Sequence, residues 1–235
     1  MSSLPIAELL VGAVLGTVFS ILTTIFTEWL RSPCIAIKLI DPRDLPLTFM
    51  KATEDPPAAE SKNVRFLSLH IENKALPKGF RWLNRNTAMS CQGYISFHHL
   101  DGQNKFGRVM QPRWAGVPEP EFPWFVYAGK QTVIVDPVRL RMGACIDIRP
   151  GVQEGLDVVV RFHGEEECYG WNNESYYSST PGKNLNWQLP LGRYLVKVDI
   201  ETSGTKVTRL YRLINDVKVQ DFRLIPALKE DKARD

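Results

Sequence analysis

The chain has 235 residues, with 29 Lys and Arg against 26 Asp and Glu for a formal charge of +3, and four cysteines. So mild a charge provides no electrostatic footprint for nucleic acid, and no aromatic-and-basic signature of an RNA- or DNA-binding module is visible. Cys34, Cys91, Cys145 and Cys168 are irregularly spaced with no CxxC pair, which excludes a zinc ribbon or a dense disulfide framework and reads as free buried thiols.

Leu9 to Phe26 is an eighteen-residue run without a charge. At 1.5 Å per residue it is about 27 Å long, and residues 5–30 together cross a hydrocarbon core of roughly 30 Å. The sequence therefore predicts a transmembrane helix over 5–30 whose partner is the lipid bilayer. A secretory signal peptide is the rival reading. It needs a cationic n-region, a shorter apolar core and a small-residue cleavage site, and this chain supplies none of them. Arg31, Lys38 and Arg43 follow the run and no Lys or Arg precedes it, so the positive-inside bias predicts a cytoplasmic C-terminal domain on a single-pass protein of the cell membrane.

Within the run, Gly12, Gly16, Ser20 and Thr24 recur every four residues, between Glu8 and Glu28. Small side chains at that spacing let two helix backbones approach closely, so this stripe is the expected packing face of a homo-oligomer. Pro33 lacks the amide hydrogen of a continuing helix and stops it.

A β domain is expected over 34–226, followed by a charged flexible tail over 227–235. The first strand is read from Cys34 to Ile40, and Cys34 at the membrane edge is a candidate for lipidation, though a strand cysteine is the simpler reading. Long loops are expected at 41–62, 100–130 and 164–190. Short alternating runs follow from Val64 onward: 64–72, 88–99, 107–114, 132–135, 145–149, 156–162, 193–201, 206–214 and 218–225. Nine such strands with no amphipathic helix between them argue for an antiparallel sandwich over βαβ units. Residues 32–235 hold 28 Lys and Arg against 24 Asp and Glu, a difference of +4, too weak to specify a partner. Their number exceeds what one seven-stranded sandwich needs, so either one domain carries large loops or two small sandwiches stand in tandem; the absence of a repeat or linker favours one elaborated domain.

Gly192 to Ile200 alternates strictly, with Tyr194, Val196, Val198 and Ile200 on one face, and Ser203-Gly204 turns the chain back. A Tyr opening such a strand after a Leu-Gly turn resembles the tyrosine corner of immunoglobulin-like and fibronectin-like sandwiches. The resemblance covers residues 187–225 and implies that the Tyr194 hydroxyl bonds nearby backbone. Val196 stands where antibody domains carry a cysteine. The resemblance implies a mainly β, immunoglobulin-like fold and no activity.

No cofactor motif is present: GxSxG, HExxH, Walker A and GxGxxG are all missing. A membrane-anchored, metal-dependent hydrolase is the alternative function. It would draw on His70 and His98, expected to approach on the solvated face of paired strands, or on His163 within His163-Gly-Glu-Glu-Glu-Cys168. Adjacent strand residues point to opposite faces, so His98 and His99 do not share one metal unless the strand bulges there. The favoured reading is a membrane-anchored binding or scaffold module for a protein or peptide. Its candidate surface is the set of aromatics expected in loops, Trp114 beside Arg113, and Trp171, Tyr176, Tyr177 and Trp187 around a polar insertion, because large aromatics beside Arg combine buried area with directional contacts. The tripeptide Asn173-Glu174-Ser175 has the form of a glycosylation acceptor, which matters only for the opposite orientation.

Overall fold

The computed structural model describes residues 6–51, 58–80, 82–117, 124–127, 130–133, 143–176, 178 and 182–233. The protein is mainly β, built from antiparallel sheets, with one N-terminal apolar helix, α1 (Ile6–Arg31). The hydroxyls of Thr17, Thr23 and Thr24 donate to carbonyls four residues earlier at 2.9, 2.8 and 2.9 Å, so these polar side chains are satisfied inside the helix. The helix ends one residue before Ser32, whose amide and hydroxyl both bond Glu28 O, and Pro33 prevents continuation.

In chain order the strands are β1 (Ile35–Leu39), β2 (Arg43–Lys51), β3 (Ala58–Asn73), β4 (Ala88–His98), β5 (Arg113–Trp114), β6 (Trp124–Tyr127), β7 (Lys130–Val133), β8 (Cys145–Ile148), β9 (Gln153–Phe162), β10 (Cys168–Gly170), β11 (Gln188–Leu189), β12 (Arg193–Thr202), β13 (Thr205–Ile214) and β14 (Arg223–Pro226). One sheet runs β1-β3-β9-β10-β11, with β2 also on β3 and β5 on β9; the second runs β14-β13-β12-β4-β8; β6 and β7 form a separate hairpin.

Residues 41–62, expected to be a loop, contain most of a hairpin, since β2 pairs with β3 from Arg43–Phe66 to Lys51–Ala58. β1 and β2 lie end to end along one edge of β3, interrupted at residues 40–42. Pro46 reads as a strand breaker but is tolerated here, because β2 pairs with no other strand and an edge residue has no second ladder to serve. The expected loops at 100–130 and 164–190 hold the short strands β5, β6, β10 and β11. Of the strand expected over 107–114, only Arg113–Trp114 is regular, with Met110 bridging to Ile95.

Alternation puts Leu67, Leu69 and Ile71 of β3 on the face opposite Val64 and Phe66. The first set joins Val158 of β9, Ile95 and Phe97 of β4, Val196, Val198 and Ile200 of β12 and Leu213 of β13, so both sheets contribute to one core. The second set joins Val160, Phe162, Tyr169 and Trp171 in a smaller cluster, with Leu47 and Tyr176 packed against it. The first sheet is thus apolar on both faces along part of its length.

Asn73 is fully buried where β3 ends. Its Oδ1 accepts from Cys34 N at 3.1 Å, and its Nδ2 donates to Asn86 O and Ile148 O at 3.0 and 3.1 Å. Asn86 N donates to Arg31 O at 2.8 Å and Arg85 Nη1 to Ser32 O at 2.5 Å, fastening the exit of α1 to the domain. The far end is closed by two arginines. Arg161 Nη1 donates to Asn215 Oδ1 and Val217 O at 3.2 and 2.7 Å, and Arg65 Nη1 donates to Val219 O at 2.9 Å. The expected flexible tail is held in part: Arg212 grips Asp231 through Nε and Nη2 at 2.6 and 2.5 Å, a two-point geometry that restricts residues 228–231.

Candidate binding surface

The aromatics nominated from sequence are mostly interior. Trp114 is fully buried, and Trp171 and Trp187 nearly so. Trp187 enters the main core against Phe97 and Phe106, with ring centroids 6.4 and 5.0 Å away, while Trp171 meets Phe66 edge-on at 5.0 Å in the smaller cluster. The insertion between them therefore reaches both faces of the first sheet. Arg113, also expected at the surface, is buried: its Nη1 donates to Asn173 Oδ1 at 2.7 Å, its Nη2 to Val117 O at 2.8 Å, and its guanidinium stacks on Tyr176 at 4.9 Å. Tyr176 in turn packs on Trp171 at 5.2 Å. Tyr177 lies outside the described residues. Trp114, Trp171, Trp187 and Arg113 are thus buried while Tyr176 is half-buried, and the polar sequence of the loop conceals two apolar anchors.

Gly170 shows how closely the insertion is seated. A Cβ there would meet Met110 Sδ at 2.7 Å and Trp187 Cβ at 3.0 Å.

The histidines do not assemble. His70 lies on β3 and His98 on β4, in different sheets, so the expected pairing of these strands is absent. His98 is buried, with Nδ1 against Gly102 O at 2.9 Å and Nε2 against Ser96 Oγ at 2.8 Å. A Ser–His contact oriented by a carbonyl has the outline of an activated nucleophile, but Ser96 and His98 are both buried. His163 Nε2 contacts Asp44 Oδ1 at 3.1 Å rather than its own acidic cluster. Among the described residues no group of three or more His, Cys, Asp or Glu stands close enough to hold a metal ion. His70 and His98 thus stand in separate sheets, and His163 lies against Asp44.

Two carboxylates show opposite electrostatics. The Arg65 guanidinium holds the Asp44 carboxyl down at about 2. Burial pushes Asp157 up even though its Oδ1 accepts from Ser68 Oγ at 2.6 Å and Arg43 Nη2 at 3.3 Å. The cysteines are free: Cys91 and Cys168 are buried, with burial raising both thiols, whereas Cys145 is exposed and Cys34 half-buried. Cys145 departs from the expected buried set because it lies on β8, an edge strand with an outward face.

No family model, curated protein or solved structure matches the chain.

A group of exposed apolar side chains lies at the end of the domain remote from α1. β4 runs from Ala88, near the helix exit, to His98, and β12 pairs antiparallel with it through Leu195–His98. Loops 99–109 and 185–194 meet there: Arg108 donates to Asn186 O at 3.0 Å and stacks on Trp187 at 4.5 Å, and His99 faces Tyr194 at 6.1 Å. Around these contacts Leu100, Val109, Leu185 and Leu191 are exposed, flanked by Lys105 and Arg108. The rigid aromatics sit beneath as a platform and the exposed aliphatics form a rim. Sequence reading passed over this rim because isolated Leu and Val carry no recognition signature. Among the described side chains, the tryptophans that remain exposed are Trp29 and Trp82.

Proposed function

We propose that this chain is a single-span membrane protein whose helix displays an immunoglobulin-like β-sandwich on the cytoplasmic side as a binding or scaffold module. The observation that carries this reading is α1 itself. Residues 10–26 carry no charge on any side of the helix, and none of the apolar window within residues 10–31 is buried by the rest of the molecule. A core helix of a soluble domain buries its apolar face; this one needs an apolar solvent. Retention rather than cleavage is supported by the hydrogen bonds that draw Arg31 and Ser32 into the domain.

Support for the immunoglobulin-like reading comes from topology and from one side chain. The order β1-β3-β9 matches strands A-B-E of such folds, and β8-β4-β12-β13 matches C′-C-F-G. The Tyr194 hydroxyl donates to Pro190 O at 3.0 Å, four residues upstream at the start of the F-equivalent strand, as a tyrosine corner requires. The sandwich binds a protein or peptide partner through the distal rim of Leu100, Val109, Leu185 and Leu191.

The test uses the full chain in native membranes. The expected result is resistance to alkaline extraction, with protease reaching the domain only from the cytoplasmic side. A photo-reactive residue at position 109 or 185 should crosslink to a discrete partner, while the same residue at position 206 should not. Release by alkali, or protection of the domain in intact cytoplasm-out vesicles, would overturn the anchoring or the orientation respectively.

A further inference from the structure

We propose that the loop joining β3 to β4, residues 74–87, is a second membrane contact that grips anionic lipid headgroups and fixes how the domain stands on the bilayer. The proposal rests on the single-span reading of α1. Lys74, Lys78, Arg81 and Arg85 lie in this segment, and it contains no Asp or Glu. Lys74 and Lys78 are exposed and form no ion pair among the described residues. Between these cations, Trp82 is 78% exposed and Phe80 38%, whereas Leu76 is anchored in the interior at 6%. An aromatic pair pushed outward beside exposed lysines is poorly placed in water. It suits a headgroup layer, where Trp rings settle and cations meet lipid phosphates.

Position supports the same occupant. The loop lies at the end of the domain from which α1 departs, because Asn86 N and Arg85 Nη1 bond the carbonyls of Arg31 and Ser32. Trp82 is three residues from Arg85, so their Cα atoms lie within about 11 Å of each other. Trp29, 68% exposed on the last turns of α1, occupies the same junction. Successive turns closed by Phe80 N to Pro77 O and Leu83 N to Phe80 O, both 2.9 Å, give the loop a defined shape. A neighbouring turn adds the exposed cation Arg149 at this end, held there by Gly151 N to Asn73 O at 2.7 Å. The cationic rim, the outward aromatics and the emerging helix together fit a lipid surface better than a soluble partner, which the bilayer itself would obstruct.

The experiment reconstitutes full-length protein in nanodiscs, with and without phosphatidylserine, using lipids brominated near the headgroup to quench tryptophan. Comparison of the wild type with Trp29→Phe and Trp82→Phe assigns a quenched component to each ring. The expected result is a Trp82 component that is larger in phosphatidylserine discs and is lost there in Lys74→Glu/Lys78→Glu, while the Trp29 component persists. A quenched Trp29 with an unquenched Trp82 overturns the loop contact and leaves the span intact; failure of both to quench overturns the span. Equal Trp82 quenching in neutral and anionic discs overturns the headgroup preference.

Discussion

Asp157 and Arg161 interrupt the apolar sequence of β9, and both are buried. Arg161 is compensated by four carbonyl or amide oxygens, from Glu165, Asn215 (two) and Val217. Asp157 has Ser68 and the half-exposed Arg43, and desolvation still outweighs them. An acid whose folded pKa is raised favours folding most when protonated, so its contribution declines as pH rises from the ordinary 3.8 through the raised value. Asp157→Asn should therefore gain stability over the wild type at pH 7, with the gap closing toward pH 4, as read by thermal melts across that range. Asp44 has the opposite sign. Its pKa is lowered from 3.8 to about 2, so its pairing with Arg65 stabilises above pH 4 and is lost as pH falls toward 2. Asp44→Asn should destabilise at neutral pH and converge with the wild type as pH falls through and below about 2.

The insertion between β10 and β11 is held as an element by its two end tryptophans, each in a different apolar cluster. Removing Trp171 opens a cavity beside Phe66 and Tyr176, and Trp171→Ala should cost about 3–5 kcal/mol in chemical denaturation of the protein in detergent. The Arg113–Tyr176 stack shares that cluster, so hydrogen exchange in residues 172–176 should quicken in the same variant. Tyr194→Phe removes one hydrogen bond in the turn between β11 and β12 and should cost about 1 kcal/mol. Unchanged stability would show that the Tyr194 hydroxyl does nothing for the corner.

At the scale of the whole molecule, α1 and the β domain are joined without a tether, and the orientation of one constrains the other. A Cβ added at Gly12 or Gly16 would meet nothing within 4 Å, so the small-residue stripe with Ser20 and Thr24 lies open in the single chain. If that stripe packs against a second copy, Gly12→Leu/Gly16→Leu should abolish dimer crosslinking of the full-length protein in membranes while leaving membrane retention intact. Equal crosslinking in both proteins would remove the homo-oligomer.

Hydropathy and period-two alternation were enough, from the sequence, for the N-terminal apolar helix, its stop before Pro33 and a mainly β remainder. These signals are local: a helix apolar on all sides or a strand apolar on one side is written in consecutive residues. Tyr194 was legible for the same reason, since its hydrogen bond closes over four residues. The β2 hairpin was not, because the Pro, Ala and acids of residues 41–62 have the composition of a loop, and only the pairing of β2 with β3 shows a strand there. Tertiary structure alone decided that Trp114, Trp171 and Trp187 are core, that His70 and His98 belong to separate sheets, and that residues 74–87 lie beside the helix exit. Each of these depends on which distant segments pack together, and a tryptophan has the same identity in a core as on a surface.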